Sequence, residues 1–179
     1  MAAERPLLAA LGALVAIGGA LPGDDVEWRR DALAQGELWR LWTGQFCHWS
    51  PLHLAGNLAA LAALAVVIGR PARRWLAALP VAAPLLSLFL LLAAPTLERY
   101  RGLSGLLGVL IVGAALEGGT PGRLIAVAYV AKLAFDATGG AASTLLPDGI
   151  AVAWAAHLGG LLIGMALAGA FRLSRATTR

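Results

Sequence analysis

The chain has 179 residues, of which 59% are hydrophobic and only 13% charged. Soluble domains average about 45–50% apolar residues, so this composition argues against a water-soluble globule and for the lipid bilayer as solvent. The formal charge of +4 comes from arginines in short connections and at the C-terminus, without a basic stripe or interleaved aromatics, so nucleic acid is set aside as a partner and membrane orientation is their expected role.

A membrane span needs about 20 apolar residues, and six such stretches fill the chain. The first covers residues 7–21. It lacks a clean basic n-region and is read as a packed span rather than a signal peptide. A polar outer loop follows over residues 22–50, with five of the ten acids (Asp24, Asp25, Glu27, Asp31, Glu37) and four tryptophans, Trp28, Trp39, Trp42 and Trp49. That density of indoles, with roughly helical apolar spacing, predicts interfacial helices at headgroup level. The second span is 51–68, with Pro51 in its first turn. The third is 75–93, the fourth 104–116, the fifth 124–137 and the sixth 150–171. A glycine-rich loop separates the last two. The expectation is an all-α membrane protein, one domain over residues 1–179, with six transmembrane helices and no room for a soluble domain.

Six spans place both termini on one side. Eight arginines (Arg5, Arg70, Arg73, Arg74, Arg123, Arg172, Arg175, Arg179) fall on that side and five (Arg29, Arg30, Arg40, Arg99, Arg101) on the other. The positive-inside bias therefore puts the termini in the cytoplasm and Ser104 at the outer end of the fourth span.

Polar side chains inside spans are costly and raise a functional question by default. They are few: His53 and Asn57 in the second span, Ser104 in the fourth, Lys132 and Asp136 in the fifth, His157 in the sixth. His53 and Asn57 are four residues apart and share a helix face. Gly160 and Gly164 lie on the face of His157, and Gly105 and Gly108 run beside Ser104. Such small faces let helices approach closely. Packed together, they would bring His157 near Ser104, where a histidine can act as general base to a serine nucleophile. The Ser104 amide at a helix N-terminus, with His53 and Asn57, would supply donors to a developing oxyanion. No acid is obviously placed to orient His157. Asp136 lies one turn from Lys132, and an internal ion pair is the preferred reading of those two. The expected site is thus a Ser–His dyad. Cys47, beside His48, reads as a small buried hydrophobe and excludes an internal disulfide or a four-cysteine metal site.

These residues resemble the rhomboid intramembrane serine proteases along nearly the whole chain. "GLSG" at residues 102–105 fits the Gly-x-Ser-Gly box, with Gly102, Gly105 and, further on, Gly108. "AHLGGLLIG" fits the sixth-span pattern through His157, Gly160 and Gly164. "HWSPLHLAGN" fits the second-span pattern through His48, His53 and Asn57, and "ELWRLWT" resembles the outer-loop Trp-Arg element through Trp39 and Arg40. The resemblance implies a six-helix rhomboid-like bundle with Ser104 as nucleophile and His157 as base and then acid. His53, Asn57 and the Ser104 amide would form the oxyanion hole, and residues 136–149 would gate entry. The substrate would be a membrane-spanning segment cut near its outer end, with no cofactor and no metal. Small size and "YRGLSG" are similar to the rhombosortase branch, bacterial enzymes paired with proteins bearing a C-terminal GlyGly-CTERM signal. Alternatives are an ordinary small rhomboid, an inactive client-binding relative, and a histidine-based metal or proton transporter. The last leaves the glycine-flanked serine unexplained. A soluble-type nucleophile elbow is rejected, because Gly105 follows Ser104 directly and no strand precedes it.

Overall fold

In a computed structural model, the described residues are 13, 23–138, 146 and 153–177. The expected first span and most of the expected gating loop lie outside them.

The outer loop is compact. It comprises α1 (Gly23–Val26), β1 (Trp28–Arg29), α2 (Arg30–Ala34) and α3 (Arg40–Thr43). The long helices are α4 (Pro51–Ile68), α5 (Ala72–Ala93), α6 (Ser104–Glu117), α7 (Gly119–Ala137) and α8 (Trp154–Thr177), with β2 (Arg99–Tyr100) leading into α6.

Several expected boundaries move for local reasons. α4 keeps both its expected ends. Ser50 accepts from the His53 amide at 3.0 Å as its N-cap, Pro51 fills the first turn, and Gly69 at φ 70° ends the helix. α7 starts at Gly119 rather than 124, because Pro121 fits a first turn and needs no hydrogen-bonded N–H. α8 runs on through the expected polar tail to Thr177. The described residues are mostly helical, as expected of an all-α protein, with one short strand pair added. β1 pairs antiparallel with β2, Trp28 opposite Tyr100 and Arg29 opposite Arg99. Two residues per strand carry no period-2 signal.

Among the described residues, three helices are long and apolar enough to cross a membrane: Pro51–Ile68, Ala72–Ala93 and Trp154–Ser174. α7 has the length but carries Arg123, Lys132 and Asp136. α6 is a shorter apolar helix of 14 residues. It is also the central one, packed by α4, α5, α7 and α8, with Gly105 through Ile111 all buried. Around it, Val66, Val81, Leu92, Leu124, Val127 and Met165 are more than half exposed, an apolar rim suited to lipid. At about 1.5 Å per residue α6 rises about 21 Å, against about 30 Å of hydrocarbon. It is therefore too short to cross the hydrocarbon by itself.

The outer loop is fastened to the bundle by satisfying orphaned backbone groups. The Arg30 guanidinium donates to the carbonyls of Leu90, Leu91, Ala94 and Leu97, 2.8–3.2 Å away, capping the C-terminus of α5. Pro84 has no N–H for the Pro80 carbonyl one turn before it. The Trp42 indole donates to that carbonyl at 3.0 Å instead. Trp42 is thus a tie between α3 and α5 as well as an interfacial aromatic.

Candidate active site

Ser104 opens α6, and the segment before it is held on every side. Gly102 has φ +130°, and a Cβ there would stand 2.7 Å from His53 Cε1, so only glycine lets the chain pass under that imidazole in this conformation. The Gly102 amide donates to Gly44 O at 3.1 Å. Above it, the fully buried Glu27 carboxylate accepts from Arg99 Nε at 2.6 Å and Arg101 Nε at 2.7 Å. Arg40, 5% exposed, donates to the carbonyls of Asp24 (2.9 Å) and Glu27 (2.8 Å). Arg40 therefore braces the outer loop, while its neighbour Trp39 is half exposed.

Tyr100, which sequence reasoning did not single out, is buried under α6. Its phenol donates to Gly102 O at 2.7 Å, accepts from the Gly105 amide at 3.1 Å, and lies within hydrogen-bonding reach of the Ser104 hydroxyl. Burial pushes the phenol up to about 12, so it stays neutral. It occupies one of the free N–H groups of the α6 N-terminus. The Ser104 amide has no acceptor among the described residues.

His48 braces the same turn. Its Nδ1 lies 3.2 Å from the Phe46 carbonyl and its Nε2 3.4 Å from the Leu103 amide. A carbonyl only accepts and an amide only donates, so Nδ1 carries the proton and the ring is neutral. Burial, then the neighbouring His53, lowers its pKa from 6.5 to about 4. The folded state therefore binds fewer protons than the unfolded state between those values. The stability it contributes is complete above pH 6.5 and is lost as pH falls toward 4, roughly 2–3 kcal/mol in all. Melting of detergent-solubilised protein between pH 7 and 4.5 is expected to fall more steeply for wild type than for His48→Gln. Parallel curves would refute the assignment. Cys47 is 1% exposed, and burial pushes its thiol up to about 12, in keeping with a small hydrophobe rather than a nucleophile.

His53 and Asn57 are buried on one face of α4, at the same end of the bundle. Asn57 Nδ2 donates back to its own helix at His53 O, 3.0 Å away, and His53 Nδ1 has no partner among the described residues.

His157 lies near the start of α8, 9% exposed. The glycine faces do pack as the sequence predicts. A Cβ on Gly160 would fall onto the Gly105 carbonyl, one on Gly108 would meet Gly160 at 3.0 Å, and one on Gly164 would meet Val109 Cα at 3.0 Å. Gly105 also abuts the Ala156 carbonyl. The residues adjoining Ser104 and His157 thus touch, though no hydrogen bond joins the two side chains among the described residues. The Lys132–Asp136 ion pair forms at 2.5 Å. The sequence places no acid obviously to orient His157, with Asp136 a candidate by type; in the structure Asp136 Oδ2 stands 3.8 Å from His157 Nδ1. Tyr129 packs on the same imidazole, ring centres 5.9 Å apart.

A helix N-terminus carrying a serine, with histidines and an acid from three neighbouring helices around it, defines a helical membrane protein with its polar chemistry at one end of the bundle. Residues 35–174 match the family model of the Rhomboid domain. The chain belongs to the rhomboid family, whose members are serine intramembrane proteases. No curated protein matches the chain.

Proposed function

We propose that the chain is an intramembrane serine endopeptidase of the bacterial inner membrane, with six spans, both termini cytoplasmic and the active site open to the periplasmic side. The observation that carries this reading is the close approach of Gly105 and Gly108 to Gly160, with Gly105 also against the Ala156 carbonyl, which brings the backbones beside Ser104 and His157 into contact.

In this reading His157 Nε2 takes the proton as Ser104 Oγ attacks the scissile carbonyl. It then gives that proton to the departing amine. Water, activated by the same nitrogen, releases the acyl group. The negative charge on the tetrahedral oxygen is met by the Ser104 amide at the positive end of α6, by His53, and by the Asn57 amide once it turns from the His53 carbonyl. A short central helix suits the task, because it leaves the nucleophile where water enters from above and a membrane segment from the side. The substrate is a membrane-spanning segment cut near its outer end at small residues. "YRGLSG" and the small size favour the rhombosortase branch, with GlyGly-CTERM proteins as partners, over an ordinary small rhomboid. No cofactor enters the chemistry.

The competing reading is an inactive client-binding member, favoured by the missing Ser104–His157 hydrogen bond. Reconstituted protein, offered a tethered reporter ending in a GlyGly-CTERM segment and a second ending in an unrelated span, separates the readings. Cleavage by wild type and none by Ser104→Ala supports the protease, and preference between reporters assigns the branch. A reporter bound but never cut would establish the client-binding reading instead.

A further inference from the structure

Among the described residues near the site, Asp136 is a buried carboxyl group that the dyad leaves without a task. Its carboxylate is 3% exposed, while its i,i+4 partner Lys132 is 55% exposed. An ion pair on a helix flank does not require this arrangement. Both ends of such a pair can stay at the rim, where it costs little and stabilises by about 0.3–0.5 kcal/mol. Taking a carboxylate inside costs several kcal/mol unless further partners meet it. The burial is directed: Asp136 Oδ2, the same oxygen that accepts from Lys132 Nζ, stands 3.8 Å from His157 Nδ1. Nδ1 is the nitrogen a base of this kind turns away from its serine. Among the described residues, the other groups facing the imidazole are Tyr129 and Lys132 from α7 and His53 from α4. None of these is an anion.

We propose that Asp136 is a positioning residue for His157, accepting a hydrogen bond from Nδ1–H, so that the site works as a Ser–His–Asp relay assembled across α6, α8 and α7. The proposal rests on the reading of Ser104 and His157 as nucleophile and base. A carboxylate only accepts, so closure of this contact requires the proton on Nδ1 and leaves the Nε2 lone pair for the Ser104 hydroxyl. The same carboxylate faces the imidazolium that forms when Ser104 gives up its proton. Its action is therefore through His157, with no contact to substrate. A separation of 3.8 Å is longer than a hydrogen bond, and such contacts commonly tighten when substrate fills the site. Loss of the acid in a Ser–His–Asp site costs about 10⁴-fold with the fold intact. Here the carboxylate is shared with Lys132 and stands further off, so a loss of about 10–100-fold is expected.

The test pairs the rate of fluorophosphonate labelling of Ser104 with ¹⁵N spectra of ring-labelled histidine. The chain has three histidines, and the His157 signals are those missing from His157→Ala. Wild type that does not label overturns the dyad reading, and the relay with it. With wild type labelled and His157→Ala silent, the relay stands by itself. Asp136→Asn is then expected to label about 10–100-fold more slowly, and the His157 proton to move from Nδ1 toward Nε2. Lys132→Met breaks the ion pair but keeps the carboxylate at His157, and is expected to retain the Nδ1–H tautomer and the labelling rate within about threefold. A wild-type rate and tautomer in Asp136→Asn overturns the proposal. So does an equal loss in both variants, which would assign Asp136 to the ion pair alone. Should Asp136→Asn fail to fold, the wild-type spectrum decides: Nδ1–H supports the relay and Nε2–H overturns it.

Discussion

His157→Ala is expected to slow covalent modification of Ser104 by at least about 10³-fold while leaving the bundle folded. In serine hydrolases, loss of the base alone costs nearly as much as loss of the whole catalytic group, about 10⁶-fold in kcat, because an unactivated hydroxyl is a poor nucleophile. Labelling by a small phosphonate needs less of the machinery than peptide cleavage, hence the lower bound. The fold is expected to survive for a specific reason. Truncation at 157 leaves no uncompensated charge, since Asp136 keeps Lys132 at 2.5 Å. Alanine also continues the small stripe of Ala155 and Ala156 and favours helix. Labelling kinetics beside a detergent melting curve provide the check. Wild-type labelling by a folded His157→Ala protein would remove His157 from the mechanism.

Gly160→Val is expected to abolish the native α6–α8 contact and, with it, both stability and labelling. A Cβ at 160 lands on the Gly105 carbonyl. Neither neighbour yields easily, because the obstacle is main chain in the buried stretch Gly105–Ile111 of α6. Overpacking a core costs about 1–3 kcal/mol where side chains repack, and more where backbone has to move. A loss of about 4 kcal/mol or more is therefore expected. Gly105 follows Ser104 directly, so any displacement also misplaces the nucleophile. Gly169→Ala on the same helix is the matched control. No described residue lies within 4 Å of a Cβ there, and relief of glycine's helix penalty predicts a neutral effect or a gain of up to about 1 kcal/mol. Unfolding of both variants by heat in mild detergent makes the comparison. A Gly160→Val protein melting with wild type would show that the two helices are not in the contact described.

The labelling of these two variants separates chemistry from packing. His157→Ala removes a proton acceptor from an intact bundle. Gly160→Val removes the bundle contact on which that acceptor depends.

The sequence by itself determined the features set by local period and local hydropathy. The bounds of α4, the shared face of His53 and Asn57, and the glycine stripes beside Ser104 and His157 all follow from which residues recur every three or four positions. It also identified the Lys132–Asp136 pair, which joins residues one turn apart. Tertiary structure alone decided how residues far apart in the chain share one small volume. The Arg99 and Arg101 guanidiniums meet buried Glu27 across more than 70 positions. Trp42 meets the carbonyl that Pro84 leaves without a donor, 38 residues away. Tyr100 turns under the very helix it precedes, and no residue pattern announces that its phenol takes the Gly105 amide. Asp136 looked like half of an ion pair because Lys132 is its neighbour in sequence. Its second neighbour, His157, lies 21 positions on and on another helix, and only the packing of α7 beside α8 brings that imidazole to the carboxylate. Helix periodicity fixes which residues share a face. Which faces meet is set by burial and backbone hydrogen bonding over the whole chain, and the chemistry of this site depends on that second choice.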